Sequence, residues 1–159
     1  MVNALKEKRK LDEAIKIYKQ TISIKPDYID AQYNLCITLQ EQGELKKAIK
    51  VYESVISIKP DYIGAFNNMG IALKKLDKFK EAVEAFNTAI SIKPDYAEAY
   101  NNMGNVLTKQ GQLAEAIEAF NTAISIKPDY AEAYKNIGIA LKDHSKLDEA
   151  IEGFNQAIS

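Results

Sequence analysis

The sequence predicts an all-α protein, an α-solenoid of tandem 34-residue helix-turn-helix repeats. The hexapeptide Ser-Ile-Lys-Pro-Asp-Tyr occurs four times with a constant spacing of 34 residues, which places its prolines at Pro26, Pro60, Pro94 and Pro128. The stretch 84–100 also recurs unchanged at 118–134. A fixed period of this length is typical of stacked repeat proteins, in which each unit packs against the next.

The repeat boundaries follow from aligning every proline at position 32 of its unit. The units are then a partial repeat at 1–28, full repeats at 29–62, 63–96 and 97–130, and an incomplete repeat at 131–159. Each full repeat contains two apolar patterns at helical spacing. We therefore expect a single solenoid domain over residues 1–159, with two helices in each repeat.

Turn signals separate the predicted helices. Position 15 of the repeat is occupied by Gly43, Asp77, Gly111 and Ser145, which are residues that suit a short turn between two helices. At the repeat junction, the proline cannot continue the preceding helix. The aspartate after it is predicted to be the N-cap of the next helix. Asp95 and Glu98 have the three-residue offset of a capping box.

Composition limits the classes of partner. The 159-residue chain has a net charge of -1, whereas proteins that bind nucleic acids normally carry a strong basic excess. No apolar run reaches the roughly 18 residues of a membrane span. Cys36 is the only cysteine, so an intrachain disulfide cannot form, and a reducing cytoplasmic location is expected. The sequence thus predicts neither nucleic-acid binding nor membrane insertion.

Residues for catalysis are few. His144 is the only histidine, and the repeat that contains Cys36 has no histidine. No glycine-rich phosphate loop, metal-ligand spacing or acid–base pair stands out. We therefore predict that the protein is not an enzyme and that it uses no metal or cofactor.

The residues of each repeat match a known pattern of large, small and aromatic positions. In the repeat 97–130 they are Tyr100, Met103, Gly104, Leu107, Ala116, Phe120 and Pro128. This pattern resembles that of tetratricopeptide repeats. The resemblance implies antiparallel helix pairs stacked into a right-handed superhelix, with the first helices lining a concave groove. The repeat 29–62 departs from the pattern at Gln32 and Cys36.

An asparagine occupies position 6 in every repeat that contains this position: Asn34, Asn68, Asn102 and Asn136. A helical wheel places position 6 on the face opposite the partner helix. Asparagine is a mediocre helix former, so its repetition predicts a ladder of amides that bind peptide groups. The alternatives are common descent of the repeats or hydrogen bonds to the adjacent helix. The ladder resembles that of the superhelical repeats of O-linked N-acetylglucosamine transferase, which implies recognition of an extended peptide main chain.

Further candidates for peptide binding surround this asparagine ladder at positions 5, 9 and 13. They are Asn67, Asn101, Asn105, Lys75, Lys109 and Lys135. The lysines would favour acidic side chains in a ligand, although exposed lysines are also ordinary solvated surface.

The sequence thus predicts a protein-interaction module that binds an extended peptide or a partner helix. One alternative is a structural unit that self-associates through its terminal helices, because Ile151, Phe154 and Ile158 lack a following repeat to cover them. Another is the substrate-recruiting segment of a larger enzyme such as a glycosyltransferase.

Overall fold

A computed structural model describes the backbone of residues 2–158 and the side chains of residues 8–143 and 145. Over these residues the chain forms eight helices and no strand, which confirms the predicted all-α class. The helices are α1 (Val2–Ile24), α2 (Ile29–Glu41), α3 (Leu45–Ile58), α4 (Ile63–Lys75), α5 (Phe79–Ile92), α6 (Ala97–Lys109), α7 (Leu113–Ile126) and α8 (Ala131–Ile158).

The chain divides into two compact units, and the boundary lies between Ile92 and Lys93. In the first unit α2 packs on α3, α4 packs on α5, and α3 also packs on α4. Leu35 and Tyr52 belong to its buried core. In the second unit α6 packs on α7 and α7 packs on α8. The single domain expected over 1–159 stays a prediction.

The turns inside the three full repeats form where the sequence predicts them. Gly43, Asp77 and Gly111 have positive φ angles of 83°, 56° and 76°, a backbone region that favours glycine and, among other residues, Asp and Asn. In the last of these turns, the N–H of Gln112 donates to the carbonyl of Leu107 at 2.9 Å. This bond closes a Schellman motif.

The predicted turn at Ser145 is wrong. Helix α8 continues through this residue from Ala131 to Ile158. Helix α1 likewise passes through Arg9, which occupies the same repeat position. Serine and arginine carry a Cβ that disfavours positive φ, and neither has the tolerance of Asp for this region. Continuing the helix avoids that conformation.

The repeat junctions form tight turns over Lys-Pro-Asp-Tyr. The N–H of Tyr62 donates to the carbonyl of Lys59 at 3.1 Å, and the lysine Nζ lies 5.4 Å from the centre of the tyrosine ring. The predicted aspartate caps are wrong, because Tyr62 and Tyr96 hold the N-cap positions without a side-chain bond. Proline and aspartate form the two central positions of the turn, so the helix begins one residue later than expected.

Candidate functional site

The close packing of each helix pair sets the orientation of the first helix. A Cβ at Gly104 would lie 2.7 Å from Cε1 of Phe120, and one at Gly70 would lie 2.7 Å from Cε1 of Phe86. Both rings are fully buried. The glycine side of each first helix therefore faces its partner, which turns the asparagine side away from it.

The asparagine ladder makes hydrogen bonds between repeats. Asn68 donates from Nδ2 to Oη of Tyr33 at 2.8 Å, and Asn136 donates from Nδ2 to Oδ1 of Asn101 at 3.0 Å. In both pairs a residue at position 6 bonds to position 5 of the preceding repeat. The alternative that the repeated asparagine bonds to an adjacent helix is therefore confirmed for Asn68 and Asn136.

The expectation that position 5 lies on the open face is wrong for two residues. The side chains of Asn67 and Asn101 are 6% and 1% exposed. A helical wheel accounts for one partner helix only, whereas a first helix in a stack has neighbours on both sides. Asn136 on α8 contacts Asn101 from the following repeat.

The remaining predicted residues reach solvent to different degrees. Asn34, Lys75, Lys109 and Lys135 are exposed, while Asn68, Asn102, Asn105 and Asn136 are half-buried. Of the predicted residues, Asn68 and Lys75 meet at one depression of about 250 Å³ in the first unit. Its lining residues are Ile37, Gln40, Glu41, Tyr52, Asn68 and Lys75.

Tyr52 is a residue of this depression that the sequence analysis missed. Its hydroxyl donates to Oε1 of Gln40 at 3.1 Å. Burial, with smaller contributions from Cys36 and Tyr33, raises the pKa of Tyr52 above its ordinary value of 10.0, so the hydroxyl stays a hydrogen-bond donor. A comparison of the repeats could have identified Tyr52, because Phe86 and Phe120 occupy its position in the other full repeats.

A second difference between the repeats, at Tyr33 and Gly64, affects the surroundings of Asn68 at this depression. The ring of Tyr33 lies 4.9 Å from that of Tyr62 and 6.3 Å from that of Tyr52, edge to face in both cases. A Cβ at Gly64 would lie 2.8 Å from Oη of Tyr33, whereas Glu98 occupies the equivalent position in the next repeat. The glycine therefore leaves the space that the tyrosine fills beside Asn68.

A larger groove of about 630 Å³ lies between α3, α4 and α5 and was not predicted. Phe66, Met69 and Leu73 contribute apolar side chains, and Lys50 and Glu84 contribute charges on α3 and α5. This groove is lined by the side of α4 that carries Gly70, whereas Asn68 lies on the other side of the helix. The groove and the depression at Asn68 therefore lie on different sides of α4.

The residues considered for catalysis are placed unfavourably for it. Cys36 is fully buried, and burial raises the pKa of its thiol to about 12, so the thiolate does not form near neutral pH. Among the side chains described, no three from His, Cys, Asp and Glu converge as a metal site requires. The side chain of His144 lies outside the described residues. A bilayer-spanning helix needs a long apolar stretch, and no helix within the described residues has one.

Models of known families match most of the chain. One described as "Tetratricopeptide repeat" matches residues 5–69, and one described as "TPR repeat" matches 72–111 and 104–145. The chain belongs to the tetratricopeptide repeat (TPR) family. This confirms the resemblance seen in the sequence and makes the protein an all-α repeat protein of the protein-interaction class.

Solved structures of similar fold include two of MamA. "Crystal structure of MamA" is 30% identical over 96% of this chain and 90% of that chain, with a TM-score of 0.79. "MamA 41-end from Desulfovibrio magneticus RS-1" is 22% identical over 93% and 84%, with a TM-score of 0.78, and shows the fold alone. A search of curated proteins found no match.

Proposed function

We propose that this TPR protein binds an extended segment of a partner protein along the exposed face of α2 and α4. The observation that carries the proposal is the 250 Å³ depression between these helices. Gln40 and Lys75 supply donors there, Glu41 supplies an acceptor, and Ile37 supplies an apolar wall. A peptide chain presents donors, acceptors and apolar side chains in the same short span.

The asparagine ladder supports the proposal because a hydrogen bond to Tyr33 fixes the amide of Asn68. Asn68 uses Nδ2 to bind Tyr33, and Oδ1 of the same amide is an acceptor of the kind that a peptide N–H binds. Because the existing bond already holds the side chain, less conformational entropy is lost when a ligand binds. Asn34 lies one repeat earlier and is exposed. In the second unit Asn102, Asn105, Lys109 and Lys135 are the corresponding candidates.

We further propose that the chain described here performs no catalysis itself, and the buried, protonated thiol of Cys36 supports this. The cytoplasmic location and the lack of a cofactor stay predictions. So does the alternative that the chain recruits substrates for a larger enzyme.

The test is selection from a random library of extended peptides, followed by affinity measurement on purified variants. We expect the parent to recover peptides that bind about tenfold more weakly, or 1.4 kcal/mol, to a Gln40→Ala/Lys75→Glu variant. The matched control is Lys50→Glu, which reverses a charge in the groove between α3, α4 and α5 and should leave affinity unchanged. Equal affinity for all three proteins would exclude the proposed site.

A further inference from the structure

Helix α8 exposes a leucine whose repeat position is buried in all three full repeats. Leu141 is 49% exposed, whereas its equivalents in the three full repeats are between 4% and 8% exposed: Leu39, Leu73 and Leu107. Tyr134, four residues before Gly138 on the same helix, is 53% exposed, whereas Phe66 and Tyr100 at its repeat position are half-buried. In the full repeats the second helix of the pair covers this leucine. On α8 the corresponding surface is open.

The surroundings of Gly138 also show that this side of α8 is uncovered. A Cβ at Gly70 or Gly104 would meet a phenylalanine ring at 2.7 Å, whereas a Cβ at Gly138 would meet nothing within 4 Å. The space that Phe86 and Phe120 fill in the full repeats is therefore open at Gly138.

The segment that follows this surface in the sequence resembles α7, the helix that covers the equivalent surface of α6. Residues 147–158 are identical to residues 113–124 of α7 at nine of twelve positions, and Phe154 corresponds to Phe120. Both segments 131–143 and 147–158 lie on the single helix α8. At 1.5 Å per residue, Phe154 is about 24 Å along the axis from Gly138. The same copy of the straight helix therefore cannot cover its own surface.

We propose that two copies of the chain pair through antiparallel α8 helices. Residues 147–158 of each copy cover residues 131–143 of the other, and the phenylalanine of one copy packs on the glycine of its partner. The arrangement is self-complementary about a two-fold axis near Ser145. A second copy is the occupant because this chain itself carries the sequence that covers the equivalent surface on α6.

Ser145 lies between the two segments of α8 that pair in this dimer, and it decides whether the chain folds back or continues as one helix. Gly43, Asp77 and Gly111 reverse the chain with a positive φ, and serine favours the straight helix instead. A Ser145→Gly variant would permit the turn that lets residues 147–158 fold back within one chain. A Ser145→Ala variant retains the helix and serves as the matched control.

Sedimentation equilibrium over a range of protein concentrations is the first test. We expect the parent and Ser145→Ala to approach twice the chain mass of 17.8 kDa, and Ser145→Gly to shift towards the monomer. A parent that stays monomeric at every concentration would overturn the proposal. So would a dimer whose mass is insensitive to Ser145→Gly.

Disulfide trapping is the second test and reports the contact itself. In a Cys36→Ala background, a Gly138→Cys chain is mixed with a Phe154→Cys chain, and circular dichroism confirms the helicity of both. We expect a disulfide-linked heterodimer in the mixture and little covalent dimer from either chain alone. A single chain that carries both cysteines and closes an intrachain disulfide as a monomer would show folding back and would refute the exchange.

Discussion

Gly104 and Phe120 approach so closely that a Cβ on the glycine would lie 2.7 Å from Cε1 of the ring. The ring is fully buried between α6 and α7. Gly70 and Phe86 repeat the contact at the same distance in the first unit. In these two repeats the close approach of the paired helices therefore depends on the absence of one methyl group.

We expect Gly104→Ala to destabilise the protein. In an exposed helix this change is favourable by about 1 kcal/mol, but overpacking a well-filled core costs about 1–3 kcal/mol. The net effect is a loss of about 1 kcal/mol, measured as a lower urea midpoint by circular dichroism. Asn121→Ala on the exposed side of α7 is the control and should not lower the midpoint. A raised midpoint for Gly104→Ala would contradict the packing.

The asparagines at position 6 should differ in their contribution to stability. Removal of the bond from Asn136 to Asn101 by Asn136→Ala should cost about 1–3 kcal/mol, because the fully buried acceptor oxygen of Asn101 loses this donor. Asn68→Ala should behave similarly, since it removes the bond to Tyr33. Asn34→Ala is the control, because Asn34 is exposed, and we expect a change within about 0.5 kcal/mol. Equal costs at all three positions would contradict the structural role of the bonds.

Tyr52→Phe should separate ligand binding from stability. The variant removes one hydroxyl and introduces the residue found at Phe86 and Phe120, so we expect the free energy of unfolding to change by less than about 1 kcal/mol. Gln40 loses the donor that orients its amide, and the affinity for a selected peptide should fall about 3- to 10-fold. Calorimetric titration with that peptide measures the change. Unchanged affinity would remove Tyr52 from the site, and a lower urea midpoint would assign the hydroxyl to the fold.

Stability should fall in alkaline solution because of Cys36. The unfolded chain releases the thiol proton near the ordinary pKa of 9.0, whereas the folded chain retains it up to a pKa of about 12. The contribution is fully present below pH 9 and is lost as pH rises towards 12, at about 1.4 kcal/mol per pH unit. Urea midpoints at pH 8.5 and 10 should therefore decline more for the parent than for Cys36→Ala. Equal declines would show that the thiol is accessible.

The departures at Ser145, Asp95, Asn67 and Asn101 share a cause. Local patterns report which residues favour a turn or a cap, but each outcome depends on neighbours. Asp95 lies in a tight turn two residues before α6 begins, and the position-5 amide of Asn101 is covered by a helix that begins 30 residues later. The depression at Tyr52 was missed for a similar reason, because its residues come from three helices.

The sequence by itself determined the repeat length, the helix pairs of the three full repeats and the turns at Gly43, Asp77 and Gly111. These features depend on backbone conformational preferences and on apolar spacing within one repeat, both of which are local properties. Tertiary structure alone decided which asparagines face solvent and which residues meet at the depression. Burial at a given position depends on the helices packed on both sides of it, which are the partner helix of the same repeat and a helix of the neighbouring repeat.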